Sequence, residues 1–323
     1  MSTPTDLIEV RVTRKIVEAE GIASFELVRP DGGPLPAFEP GAHLDIHVPG
    51  GLLRQYSLCN PANETHRYQI AVLRDPASRG GSEAMHDQLN EGDIVRISAP
   101  RNHFPLQAGV PHTLLMGGGI GITPVLCMAE QLGRTGGSFE LHYCTRSPSR
   151  TAFHDTLRNG PFADKVQFHF DDGAPEQKLD IGAKLASCSP DTHLYVCGPK
   201  GFMDAVLGKA RELGWPESRI HFEYFGAEVV HKADDGSFEV EVASSGKVIT
   251  VGAEESIAAA LAAAGVEVPL SCEQGVCGTC LTRVISGTPD HRDMYLTPAE
   301  QEQNDQILVC CSRSKSARLV LDL

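Results

Sequence analysis

Short alternations of apolar and polar residues fill the first third of the chain. Leu7 to Val12, Ile22 to Val28, His43 to Val48, Gln55 to Cys59, Tyr68 to Leu73 and Ile94 to Ser98 have strand length. Turn residues separate them, in Pro30-Asp-Gly-Gly33, Pro49-Gly-Gly51 and Glu91-Gly-Asp93. The pattern predicts a closed antiparallel barrel over residues 1–104. Ser82 to Leu89 reads as one short helix, with Ser82 as its N-cap. Over 105–226 the period changes. Apolar strands at Thr113 to Met116, Phe139 to Cys144, Val166 to Phe170 and Leu194 to Cys197 alternate with helical stretches at Pro124 to Leu132 and Phe202 to Leu213. That alternation predicts a parallel sheet with helices on both faces. Residues 227–236 form a polar bridge ending in Asp234-Asp-Gly236. From 237 to 323 come a hairpin (Phe238 to Val242, Val248 to Val251), a small-residue helix (Ser256 to Ala264), a Cys- and Gly-rich loop and further strands.

Composition narrows the class. No stretch approaches the roughly 20 apolar residues of a membrane span, and Met1 to Arg14 is polar, without a signal-peptide core. The expectation is a cytoplasmic protein. Lys and Arg total 28 against 42 Asp and Glu, a net charge of -14. That argues against nucleic acid or an anionic membrane as partner and leaves room for a basic protein. Ten cysteines in a cytoplasmic chain are not expected to form a disulfide framework.

Four of those cysteines carry the strongest signal. Cys272, Cys277 and Cys280 have a C-x4-C-x2-C spacing, and Cys310 comes 29 residues later. This is the plant-type [2Fe–2S] spacing. Two irons need four thiolates, and Gly275 and Gly278 let the loop bend around them. Cys310 and Cys311 compete for the fourth place. Strand alternation allows only one to ligate, and the spacing favours Cys310. A zinc knot would pair two Cys-x-x-Cys motifs, and only one is present.

Two further segments have ligand chemistry. Gly117, Gly118, Gly119 and Gly121, with Thr123 and Pro124, come after an apolar strand and open a helix, where glycines and free amides suit a pyrophosphate. Pro124 stands where the usual fingerprint has its third glycine. Cys197-Gly198-Pro199 ends a later strand and is expected to face the same crevice. In the barrel, Arg54, Tyr56 and Leu58 share one face, with Ser57 opposite. Arg54 can hold a phosphate and Tyr56 can pack on a flavin. Gly81 and Ser82 precede the short helix and offer a second phosphate contact. Each segment taken alone also reads as an ordinary turn, strand or cap.

Together the segments resemble the phthalate dioxygenase reductase family, within the ferredoxin–NADP reductase superfamily, over the whole chain. The resemblance implies an antiparallel flavin-binding β-barrel, an α/β parallel-sheet nicotinamide domain and a C-terminal β-grasp plant-type ferredoxin. It implies FMN rather than FAD against Arg54, Tyr56, Ser57 and Leu58, its phosphate near Gly81 and Ser82, and NADH on the glycine turn and Cys197 to Pro199. Phe225, in His221-Phe-Glu-Tyr-Phe-Gly226, matches the aromatic that covers the flavin, and the cluster loop with Asp290-His-Arg-Asp293 to Cys310 matches the ferredoxin part. Ser57, Cys197 and Phe225 are the catalytic candidates. Electrons would pass from NADH to FMN, to the cluster and on to a Rieske-type aromatic oxygenase or O-demethylase, the reductase acting as a monomer. Alternatives are a cytochrome P450 reductase and a non-enzymatic protein with a structural zinc site. One position departs from the pattern. Arg146, in Thr145-Arg146-Ser147, stands where an acidic residue would select NAD, and Asp171 and Asp172 end the next strand and compensate. NADH is the expected donor.

Overall fold

The computed structural model describes residues 7–76, 80–226 and 235–323 and divides into two compact units, 1–225 and 226–323. Most of the polar bridge, 227–234, therefore lies outside the described residues.

Unit 1 opens with a barrel. Its strands are β1 (Ile8–Ala19), β2 (Ile22–Val28), β3 (Ala42–His47), β4 (Leu53–Ser57), β5 (Tyr68–Leu73), β6 (Ile94–Ile97) and β7 (Arg101–Asn102), with α1 (Gly81–Asp87) after β5. They pair in the order β4-β3-β6-β1-β2-β5, with β7 against β3. β1 runs on past the expected Val12 to Ala19. A register shift between Val12 and Arg14 breaks the alternation there, and Arg14 and Lys15 still pair with Glu26 and Phe25. The barrel closes where the chain leaves β4. Leu58 bridges Ile70, and the Cys59 amide donates to Gln69 O at 2.9 Å. Leu58 is fully buried with Leu44, Ile46, Phe25 and Ile70. Its side chain thus fills the barrel, and only its backbone can meet a ligand. Ser82 does not cap α1. Gly80, at φ 87°, is the N-cap, and the Ser82 hydroxyl accepts from the Asp75 amide at 3.1 Å.

The rest of unit 1 is a five-stranded parallel sheet, ordered β10-β9-β8-β11-β12. The strands are β8 (His112–Gly118), β9 (Phe139–Thr145), β10 (Val166–Phe170), β11 (Thr192–Cys197) and β12 (Ile220–Glu223). Helices α2 (Ile122–Thr135), α3 (His154–Asn159), α4 (Ile181–Ala186) and α5 (Lys200–Glu212) connect them. Both faces are covered: α2 packs with Leu115, Leu141 and Tyr195, and α4 and α5 with Leu114, Met116 and Val196. Pro124 stands in the first turn of α2, where its missing N–H breaks no helical bond.

Unit 2 has β13 (Phe238–Val242), β14 (Lys247–Val251), α6 (Ile257–Ala263), β15 (Leu281–Ser286), β16 (Pro289–Asp290), α7 (Pro298–Gln303), β17 (Gln306–Leu308), β18 (Arg313–Ser314) and β19 (Arg318–Leu321). The main sheet is ordered β14-β13-β19-β15-β17, with β13 and β19 parallel. Ser256 caps α6 by accepting from the Ala259 amide, and Ile257, Ala258, Ala260 and Leu261 seat the helix on the sheet core. Among the described residues no helix is long and apolar enough to cross a membrane.

Because Leu58 closes the barrel, Leu58→Ala should lower the unfolding free energy of unit 1 by about 2–5 kcal/mol. A denaturant midpoint equal to the wild-type value would show that the closure does not depend on this side chain.

Candidate functional site

The barrel contributes one wall of the first site. Arg54 lies across Gly81, where a Cβ would meet its side chain as placed, so the missing side chain leaves the cation room at the start of α1. An Arg54 terminal nitrogen donates to Leu53 O at 2.7 Å. Tyr56 is partly buried against the barrel core, and burial raises its phenol above the ordinary range. Ser57 is 6% exposed and stands opposite His43 in the β3–β4 ladder. His43 is buried, and among the described residues its Nε2 has no hydrogen-bond partner. Burial, then His103 and Arg101, push its imidazole down to about 4. An enclosed glycine cradle for a cation and an orphaned ring nitrogen beside Ser57 fit a polar aromatic ligand with a phosphate.

The parallel sheet contributes the other wall. Cys144 pairs with Gly118, Gly117 with Cys197, and Cys197 with Glu223, so these residues line up at the carboxyl edge. A Cβ on Gly121 would strike the Cys197 carbonyl, and one on Gly118 would lie 2.8 Å from the Phe202 ring. The glycine turn and the Gly198–Pro199 turn are therefore in contact. Gly119, at φ 52°, faces open space, and no acidic residue stands in the first turn of α2. The helix start is thus open to an anion. Thr123 donates to Ile120 O at 3.1 Å and closes the turn. The Cys197 thiol is fully buried, and burial holds it far above its ordinary pKa. It is not a thiolate, and what it offers a ligand is backbone. Phe225, 38% exposed, comes just after β12. Arg146, Asp171 and Asp172 are exposed. The Asp172 amide donates to Arg146 O at 3.1 Å, which sets both charges on one sheet edge.

The motifs do not point to Glu223. The Ser57 hydroxyl donates to Glu223 Oε2 at 3.4 Å, which joins the two walls. The residue is half-buried, and its carboxyl is enclosed. Burial pushes it up to about 8, against a smaller opposing pull from Ser57. Its one sequence signal is a Glu at the end of an apolar run, Ile220-His-Phe-Glu223, whose aromatics are the more conspicuous feature.

The second site is in unit 2. Its thiols meet in order, Cys277 with Cys272, Cys272 with Cys310 and Cys310 with Cys280. A hydrogen bond from Cys277, then one from Cys310, lowers Cys272, and Cys310 lowers Cys280. The Cys272 sulfur also accepts from the Gln274 amide at 3.3 Å. Among the described residues no three ligand side chains are placed around a single ion; the four thiols, grouped as a chain, have the donor chemistry of a [2Fe–2S] cluster. Cys310 and Cys311 lie in a turn after β17, not in a strand, so alternation is not what separates them. The Cys311 sulfur lies by Leu308 O at 3.8 Å and the backbone of Gly275, and it also meets the Cys310 thiol.

Residues 240–315 match the family model for a 2Fe-2S iron-sulfur cluster binding domain. The chain is 56% identical over 317 residues to the vanillate O-demethylase oxidoreductase of Pseudomonas sp. (strain HR199 / DSM 7063), covering 98% of this chain and 100% of that one. Among solved structures it is similar to phthalate dioxygenase reductase, described as a modular structure for electron transfer from pyridine nucleotides to [2Fe-2S], at 44% identity and TM-score 0.78, covering 98% of both chains. It is also similar to part of an intact type IV self-sufficient cytochrome P450 monooxygenase, at 34% identity and TM-score 0.84, over 98% of this chain and 41% of that one.

Folded protein holds the Glu223 proton up to about pH 8, the unfolded chain only to 4.5. The folded state binds more protons between those values, so stability falls as pH rises through that window. Glu223→Gln should flatten the fall, read as denaturant midpoints across the window; equal slopes would mean the carboxyl is not enclosed. Cys310→Ser should remove or damage the cluster while Cys311→Ser leaves iron content unchanged, and iron loss confined to the Cys311 variant would reverse the assignment.

Proposed function

This chain belongs to the phthalate dioxygenase reductase family of flavin and iron–sulfur oxidoreductases, and we propose that it is the NADH-dependent reductase of a Rieske-type aromatic oxygenase, an O-demethylase by preference. The observation that carries the reading is the end-to-end match with vanillate O-demethylase oxidoreductase. The protein works in the cytoplasm as a monomer.

Bound FMN and a [2Fe–2S] cluster supply the conversion of a two-electron donor into single-electron steps; the chain positions them and excludes competing reactions. Arg54, Gly81 and Ser82 hold the FMN phosphate. Tyr56, Ser57 and the Leu58 backbone line its ring, and Phe225 covers it. The amides from Gly117 to Pro124 and the Cys197 to Pro199 turn hold the dinucleotide. Cys272, Cys277, Cys280 and Cys310 hold the cluster. Ser57 and Glu223 keep a proton at the junction of the two walls, where Glu223 is uncharged at neutral pH. The resemblance to a module of a P450 chain supports a second reading, service to a separate P450. Reconstitution with each purified acceptor decides: NADH-dependent product from the Rieske oxygenase supports the first, and product only from the P450 replaces it.

Heat-released flavin should chromatograph as FMN, and recovery of FAD would overturn that assignment. Arg54→Ala should weaken flavin retention by about 1.5–3 kcal/mol, the worth of a charge-assisted phosphate contact. NADH should give a higher kcat/KM than NADPH, and Arg146→Ala should leave the ratio nearly unchanged. A wild-type preference for NADPH that this change abolishes would assign Arg146 to a 2'-phosphate.

A further inference from the structure

The Asp290-His-Arg-Asp293 segment supplies no ligand to flavin, dinucleotide or cluster, yet it and the residues just after it touch both cysteine-bearing segments. Ser312 stands two residues beyond Cys310. The Arg292 amide donates to Ser312 Oγ at 3.2 Å, and the Ser312 hydroxyl donates to Asp293 Oδ1 at 3.3 Å. The Met294 amide donates to Gly275 O at 3.0 Å, inside the three-cysteine loop. The Tyr295 ring occupies the space a Cβ on Gly278 would need, and a Cβ on Gly275 would lie 3.1 Å from Asp293 Cα. Residues 292–295 thus span from the loop to the turn that carries the fourth ligand.

We propose that residues 292–295 are a brace holding the Cys310 turn against the Cys272–Cys280 loop, with Asp293 as its positioning residue. The inference rests on the cluster reading of those four cysteines. The Asp293 side chain is fully enclosed. Its Oδ2 accepts from the Leu296 amide at 2.8 Å and fixes the brace's own turn, while Oδ1 takes Ser312 on the Cys310 side; Met294 and Tyr295 make the contacts to the loop. His291 Nδ1 stands 3.6 Å from Oδ1, and among the described residues neither of its ring nitrogens makes a hydrogen bond. The brace is itself pinned. The Arg292 guanidinium is buried, held by Asp235 at 2.7 Å and Asp290 at 2.6 Å.

Asp293→Asn keeps the brace and removes the charge. Its amide oxygen can accept from Leu296 and its amide nitrogen can donate to Ser312 Oγ, whose lone pairs remain available. Asp293→Ala removes the bonds to Ser312 and Leu296, and Ser312→Ala removes both side-chain bonds that join the brace to the Cys310 turn. The experiment measures iron and sulfide content, loss of cluster colour under a chelator, the electron paramagnetic resonance spectrum and the midpoint potential of the full-length holoprotein. The Asn variant should keep wild-type iron, sulfide and spectrum. Its potential should rise by the equivalent of about a tenfold change in the oxidised-to-reduced ratio, about 59 mV for one electron, because a buried negative charge that opposed the added electron is gone. The Asp293→Ala and Ser312→Ala variants should each lose colour several-fold faster. Flavin bleaching by NADH, which reports unit 1, should be the same in all three. Wild-type retention, spectrum and potential in both Asp293→Asn and Ser312→Ala would overturn the proposal, even where Asp293→Ala fails to fold. Wild-type protein without iron or sulfide would instead overturn the cluster reading on which the brace rests.

Discussion

Close approach of main chain to main chain is the constraint on which both sites depend. A pyrophosphate is gripped largely by amides and an iron–sulfur cluster by thiolates on a loop and a turn, so segments remote in sequence must touch without a Cβ between them. Gly121 meets the Cys197 carbonyl, and Gly275 meets Cys311 and Asp293. A single methyl at either place would push apart the two turns that form the site. The contact at Gly121 also positions the neighbouring strand. With α2 held against the end of β11, β12 presents Glu223 in register with Cys197, and the barrel's Ser57 comes within hydrogen-bonding distance of it.

Charge is handled differently in the two units. In unit 1 a carboxyl is enclosed and stays protonated to about pH 8, so Glu223 adds no negative charge to the junction of barrel and sheet at neutral pH. In unit 2 the buried charges are kept and paired. Arg292 binds Asp235 and Asp290, and Arg313 donates to the carbonyls of Gly236, Gly252 and Glu255. Taking such ions out of water offsets much of what their attraction returns. Their effect is better understood as specificity, since few backbone arrangements satisfy every one of these groups at once.

The cysteine spacing, the glycine turn after an apolar strand and the change of period near residue 105 are all legible along the chain, and each leads to the fold that is observed. They are local signals, set by residues a few positions apart, and local geometry preserves them. Other features leave no such trace. The continuation of β1 past Val12 is hidden because a register shift breaks the alternation. The true cap of α1 is invisible because Gly80 works through its left-handed backbone, which has no side-chain signature. Spacing singles out Cys310 over Cys311, but strand alternation does not separate them, since both stand in a turn. That Leu58 is core, that Cys197 is a buried thiol and that Glu223 meets Ser57 were decided only by tertiary structure. Burial and partnership belong to whichever distant segments the fold brings together, and no spacing along the chain encodes how much water a carboxyl or a thiol will keep.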